Sequence, residues 1–255
     1  MAGKSIQVLG IAVDAELLDR WRGWLMPEVQ PFLVPPDVAG AAGLASDSGR
    51  LSPELRDSFW LYGIGDRAVC WLARAESRRL PPEVRRCQPA AHRWPSPDRD
   101  RDVARVIRAI EAGHRRSRHA EVTQATWQPA SLILPAARDL AGSFPPGSGP
   151  NCFGTVMSAA GVAGASAAWT QRESFEEWLA SSCSPGGSDE RAGTVLVWRD
   201  AKAEVQHAAV TLGDGWALHK QSQAWMSPTA VLTVQDVILS ARVRGHRLRR
   251  LTLRA

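Results

Sequence analysis

The chain has 255 residues, 44% of them hydrophobic and 22% charged, which excludes wholesale disorder and leaves room for one generous core or two small ones. Its net charge of +5 invites a nucleic-acid reading, yet Lys4, Lys202 and Lys220 are the only lysines. An arginine excess beside abundant alanine, glycine and proline reads as a compositional bias, so nucleic-acid binding is disfavoured. Cys70, Cys87, Cys152 and Cys183 form no C-x-x-C pair and have no histidines at zinc-finger spacing, so neither a disulfide scaffold nor a metal centre is expected. The N-terminal apolar run contains Gln7, ends at Asp14 and lacks a cleavage pattern. No stretch approaches the ~20 apolar residues that span a bilayer. The expectation is a cytoplasmic protein without membrane association.

Residues 6–13 read as a buried strand and 14–26 as a helix with Leu17, Leu18, Trp21 and Leu25 on one face. A Pro/Gly/Ser-rich connection over 31–52 follows, then a helix start at Ser52-Pro53, with the serine as N-cap. Residues 67–75 suit a strand. Five prolines break 80–98, and 99–112 carry Val103, Val106, Ile107 and Ile110 at helical spacing. The cationic face of that helix, continuing through residues 114–119, reads as solvated surface. The hand-over to a second region is placed near residue 125.

Beyond it, residues 136–141 and 152–160 read as helices, the second rich in small residues, and 174–181 as an amphipathic helix with Phe175, Trp178 and Leu179 inward. Strands follow at 194–198, 205–212 and 216–221, a helix around 234–238, and a closing strand within 247–254. Helices first and a strand meander afterwards predict an α+β domain.

Two segments carry the chemistry. Asn151-Cys152-Phe153-Gly154 places a cysteine at the start of a helix, where unpaired N–H groups and the macrodipole favour a thiolate. The same groups can hold an oxyanion during acyl transfer. Leu212-Gly213-Asp214-Gly215-Trp216 is a tight-turn signal between two alternating runs. With residues 213–215 as the loop, Leu212 pairs with Trp216 and His219 lies opposite Ala209, diagonal to His207 on the same face. One imidazole can then serve as base while the other orients it. A bulge would shift that register and put Gln221 or Gln223 in the orienting place. His92, His114, His119 and His246 lie in Arg-rich surroundings and read as surface residues.

This constellation resembles the NlpC/P60 cysteine peptidases of the papain-like superfamily. Asn151-Cys152-Phe153-Gly154 is similar to that family's cysteine motif, Gly193-to-Trp198 to its first strand, and His207-to-Gly213 with His219 to the remainder. The resemblance covers residues 130–255. It implies a papain-like domain over 126–255, with helices packed on an antiparallel sheet; the strand and helix patterns over 1–125 predict a smaller mixed α/β region of unassigned role before it. It further implies Cys152 as nucleophile, His207 as general base and His219 as its orienting residue, without cofactor or metal. Asn151, Phe153, Trp216 and Gln221 are the expected substrate-binding residues.

Two departures bear on specificity. The family's Asp and Ser beside the cysteine, and an upstream Tyr, help bind the free amine of cell-wall peptides. Asn151 and Phe153 stand in those places, and residues 143–147 contain no tyrosine. The expected activity is therefore cleavage of an amide or isopeptide bond in a small-molecule or peptide substrate other than ordinary peptidoglycan. Acyl transfer by the same thiol, or a non-enzymatic anion-binding module, are the alternatives. Oligomeric state is left open.

Overall fold

A computed structural model describes residues 6–254. In chain order, β1 (Ile6–Val8) and β2 (Ile11–Val13) form a short hairpin; then come α1 (Ala15–Leu25), β3 (Val29–Val34), α2 (Pro36–Ala41), α3 (Pro53–Ser58), β4 (Ala68–Ala73), α4 (Arg74–Ser77), α5 (Pro82–Arg86) and α6 (Arg99–Gly113). They are followed by α7 (Gln124–Ile133), α8 (Ala137–Leu140), α9 (Cys152–Ala159), α10 (Arg172–Ser182), β5 (Cys183–Pro185), β6 (Ala192–Arg199), β7 (Val205–Gly213), β8 (Trp216–Lys220), β9 (Thr229–Thr233), α11 (Val234–Ser240) and β10 (Arg247–Leu253). The fold is α+β with antiparallel sheets.

The chain divides into two compact units. Val13–Ala112 belong to the first, in which β3 and β4 pair and bury Phe32, Val34, Cys70 and Leu72 with Leu80 and Val84. Gln7–Ala12 and the chain from Gly113 onward form the second. The boundary therefore falls earlier than residue 125. The reason is hydrogen bonding: Arg118 N–H donates to Val231 O at 2.7 Å and Ser117 Oγ accepts from Val231 N–H at 3.1 Å, tying residues 117–118 to β9.

The second unit is built on a six-stranded sheet in the order β5-β10-β6-β7-β8-β9. Alternation along the strands sends Val195, Val197, Ala208, Val210, Leu218 and Val231 to one face, where they pack with Cys152, Phe153, Val156, Phe175 and Leu179 of α9 and α10. Leu196, Trp198, Ala209, Ala217, Ala230 and Leu232 go to the other, against Val234 and Val237 of α11. Both faces are covered, which explains why β6 and β7 read as nearly continuous apolar runs. Phe153 stacks on Phe175 with centroids 4.5 Å apart, an arrangement worth about 0.5–1.5 kcal/mol beyond its buried area.

The β7–β8 hairpin resolves the register question. The loop is the two residues Asp214 and Gly215, with φ of +50° and +74°, flanked by Gly213 paired to Trp216. A register shift between Thr211 and Gly213 then restores the pairs Thr211–Ala217 and Val210–Leu218. In place of the expected three-residue loop there is thus a two-residue turn and a bulge that cancel, so the pairs keep the expected register as far as Val210–Leu218.

Candidate active site

Helix α9 begins where Asn151 caps it. Its Oδ1 accepts from Gly154 N–H at 2.9 Å, and its Nδ2 donates to Thr170 O at 2.7 Å. Gly154 is needed here: a Cβ at this position would lie 2.5 Å from Ala165 O. The capped start fixes Cys152 in the first turn, 2% exposed.

The sulfur of Cys152 is faced by the backbone N–H groups of Ala208, Phe153 and Cys152 itself, and by the positive charge of Lys220. Burial outweighs these stabilising groups and pushes the thiol up to about 11. The resting group is thus a neutral, shielded thiol rather than the preformed thiolate that a helix N-terminus alone would favour. Ladder pairing between β7 and β8 runs from Gly213–Trp216 to Val210–Leu218.

His207 and His219 are brought together. Their Nε2 atoms are 2.6 Å apart, with the rings edge to face at a centroid distance of 4.8 Å. His207 pairs across the sheet with Trp198, whose ring lies 5.4 Å away, and His219 pairs with Ala230 and is 1% exposed. Burial, then the charge of His246, lowers His207 to about 4; burial, then His207 and His114, holds His219 well below the usual histidine range. Both imidazoles are therefore neutral at pH 7, and the contact is an N–H···N hydrogen bond with one ring donating.

The histidines do not engage the thiol in this conformation. They stand on the sheet face of Trp198, Ala209 and Ala230, whereas Cys152 packs on the face of Ala208, Val210 and Leu218. Among the described residues no hydrogen bond joins Cys152 to either ring. His207 immediately precedes Ala208, but successive side chains on a strand leave from opposite faces, so no change of side-chain rotamer brings its ring to the sulfur, and the expected Cys152–His207 contact is absent.

The four residues expected to bind substrate have structural duties instead. Both ends of the Asn151 amide are consumed by the cap and by Thr170. Phe153 is a core residue stacked on Phe175. Gln221 clamps the backbone of Arg115, accepting from its N–H at 2.9 Å and donating to its carbonyl at 3.0 Å, so it is not the residue that orients His207. Trp216 lies at the hairpin turn under the Arg118 guanidinium, 4.8 Å from the ring centroid.

No protein-family model, curated protein or solved structure matches this chain.

Lys220 is the residue that sequence reasoning passed over. It is fully buried on the Cys152 face, and its Nζ donates to Ala224 O at 2.9 Å and Ser227 O at 2.7 Å, closing the β8–β9 loop beside the site. Continuing the ladder register sets it opposite Ala208. Its signal was available: one of three lysines in the chain, at the inward-facing end of an apolar strand. His92 also differs from the surface expectation. It stacks on Phe32 at 4.0 Å, and burial lowers its pKa. Among the described residues no group of three or more His, Cys, Asp or Glu side chains is arranged to hold a metal, and no helix is long and apolar enough to cross a membrane.

Proposed function

We propose that this chain is a cysteine-dependent hydrolase of amide or isopeptide bonds, a divergent relative of the NlpC/P60 peptidases with their papain-like arrangement. The observation that carries the reading is Cys152 in the capped first turn of α9, its sulfur beside the backbone N–H groups of Ala208 and Phe153, with the bonded His207–His219 pair on the same stretch of β7 and β8 but on the opposite sheet face. A nucleophile, a base and a second group holding that base are the parts such chemistry requires, and here the base has to be brought round from the opposite sheet face.

In the proposed cycle a rearrangement of the β7 backbone at residues 207–208 brings His207 to the thiol side of the sheet, where it takes the proton as the sulfur attacks the substrate carbonyl. The N–H groups of Cys152, Phe153 and Ala208 and the Lys220 charge favour the anions formed at this point. His207 then returns the proton to the departing amine, leaving a thioester on Cys152. Water, deprotonated by His207, cleaves the thioester to a carboxylic acid and restores the thiol. Moving His207 to the thiol breaks its 2.6 Å contact with His219, so His219 holds the resting pair and receives His207 back at the end of the cycle.

Ordinary peptidoglycan is a poor fit as substrate. Asn151 replaces the family's acidic residue, and its amide is fully committed within the fold. The 2% exposure of Cys152 favours a second reading, acyl transfer, because a dry thioester survives until an amine or alcohol reaches it. The test is amine release from a panel of amides and isopeptides. The reading expects release by the native chain and none by Cys152→Ser or His207→Ala; equal release by all three contradicts it. Acceleration by one added amine with capture of the product selects transfer.

A further inference from the structure

One turn along α9 from Cys152, which is not itself a lining residue, lies a cleft of about 380 Å³, within the range of small-molecule sites. Its walls are the Pro/Gly loop with Pro145, Gly147 and Pro150, the segment at Ala167, and Thr229; Thr155 lines it from α9, one turn past Cys152 on the same helix face. Hydrogen bonds hold these walls in place. Trp225 Nε1 donates to Pro145 O at 3.0 Å, and Thr229 N–H donates to Ser143 O at 2.9 Å.

No charged side chain lines the cleft. Two of its hydroxyls are already committed: Thr155 Oγ1 donates to Asn151 O at 2.9 Å, and Ser143 Oγ to Leu140 O at 2.6 Å. A cationic or anionic ligand would lose its hydration here without gaining a counter-charge, which is costly. An apolar ligand loses nothing of the kind and gains burial at ~25 cal/mol per Å².

We infer that this cleft is a binding subsite for the uncharged, apolar acyl portion of the substrate, delivered to Cys152 from the side of Thr155. Its role as acyl-donor subsite rests on the proposed thiol chemistry; its binding property does not.

The experiment is calorimetric titration of the full chain with octanamide, and with 8-aminooctanamide as a cationic analogue of the same length. The inference expects octanamide to bind one per chain and the amino analogue at least tenfold more weakly. Gly147→Leu should weaken octanamide at least tenfold, since Gly147 lines the cleft and a Cβ there meets nothing within 4 Å, so the fold tolerates the added bulk. Ala167→Trp provides an independent block, and Cys152→Ser should bind octanamide as the native chain does. Absence of binding, indifference to both blocking variants, or equal affinity for the amino analogue overturns the inference. Octanamide binding without any thioester at Cys152 would leave the cleft standing and remove the hydrolase, and a thioester without octanamide binding would do the reverse.

Discussion

His207 and His219 share one proton across 2.6 Å between their Nε2 atoms, in a setting that disfavours a charge on either ring. The Nδ1 of His219 is buried with no hydrogen-bond partner among the described residues. An unpartnered buried donor costs about 1–3 kcal/mol, so the resting tautomer has the His219 Nε2–H donating and its Nδ1 bare. His207 then carries its proton on Nδ1.

Stability should fall as the solution is acidified. Both histidines have depressed folded pKa values, that of His207 at about 4, so the unfolded chain binds protons first as pH drops below about 6.5. The stabilisation is complete above the unfolded value and is lost as pH falls through the folded one. Urea midpoints between pH 7 and pH 4 should decline in the native chain and flatten in this window in His207→Gln/His219→Gln. An unchanged slope in the double variant would contradict burial of neutral imidazoles.

Iodoacetamide should find Cys87 first at pH 7, because it is exposed while Cys70, Cys152 and Cys183 are buried. Labelling of Cys152 should be slow and should climb with pH above 9, following the raised thiol. Peptide mapping of a time course checks the order. Rapid labelling of Cys152 at neutral pH would mean that the resting thiol is not shielded.

Lys220→Met should destabilise the fold by about 1–3 kcal/mol, since the carbonyls of Ala224 and Ser227 lose their donor in a buried place. It should also slow alkylation of Cys152 at a fixed high pH, because a positive charge favouring the thiolate is gone. Lys220→Arg, retaining the charge, should preserve more of that rate. A Met variant that labels Cys152 as fast as the native chain would separate Lys220 from the thiol.

Asn151→Asp should not improve the protein, although it restores the acidic residue found beside the cysteine in the resembled family. The carboxylate can still accept from Gly154 N–H, but an oxygen replaces the amide that donates to Thr170 O. The expected loss is about 1–3 kcal/mol from the unsatisfied buried carbonyl. Asn151→Ala, which removes the cap, should lose about 0.5–2 kcal/mol from the capping contribution alone. Chemical denaturation of the two variants measures both; a stabilised Asp variant would show that the Thr170 contact is dispensable.

Sequence pattern revealed local structure well and three-dimensional grouping less well. Helix α6, strand β4 and the start of α3 at Ser52-Pro53 were legible because periodicity and capping act within a few residues. The same holds for α9 behind Asn151. Residues 6–13 read as one strand, yet Leu9 and Gly10 both take positive φ and fold them into a hairpin, and only the glycine announces it. Strand β3 was hidden because Pro31 and the prolines after it resemble a loop, and α7 because it carries Pro129 in its interior. In the site, spacing foretold the His207–His219 contact, which depends only on hairpin register. Which sheet face α9 covers is a long-range packing outcome. No local pattern showed that Cys152 would lie with Ala208 and Lys220 instead of with the rings.

The most direct test is intact-mass detection of a thioester on Cys152 after brief exposure to an activated acyl amide, followed by an acid quench. The account predicts one acyl addition that maps to Cys152 in the native chain, is absent in Cys152→Ser, and is at least tenfold reduced in His207→Ala. Addition to the native chain and to His207→Ala at the same rate, or addition only at Cys87, would contradict it.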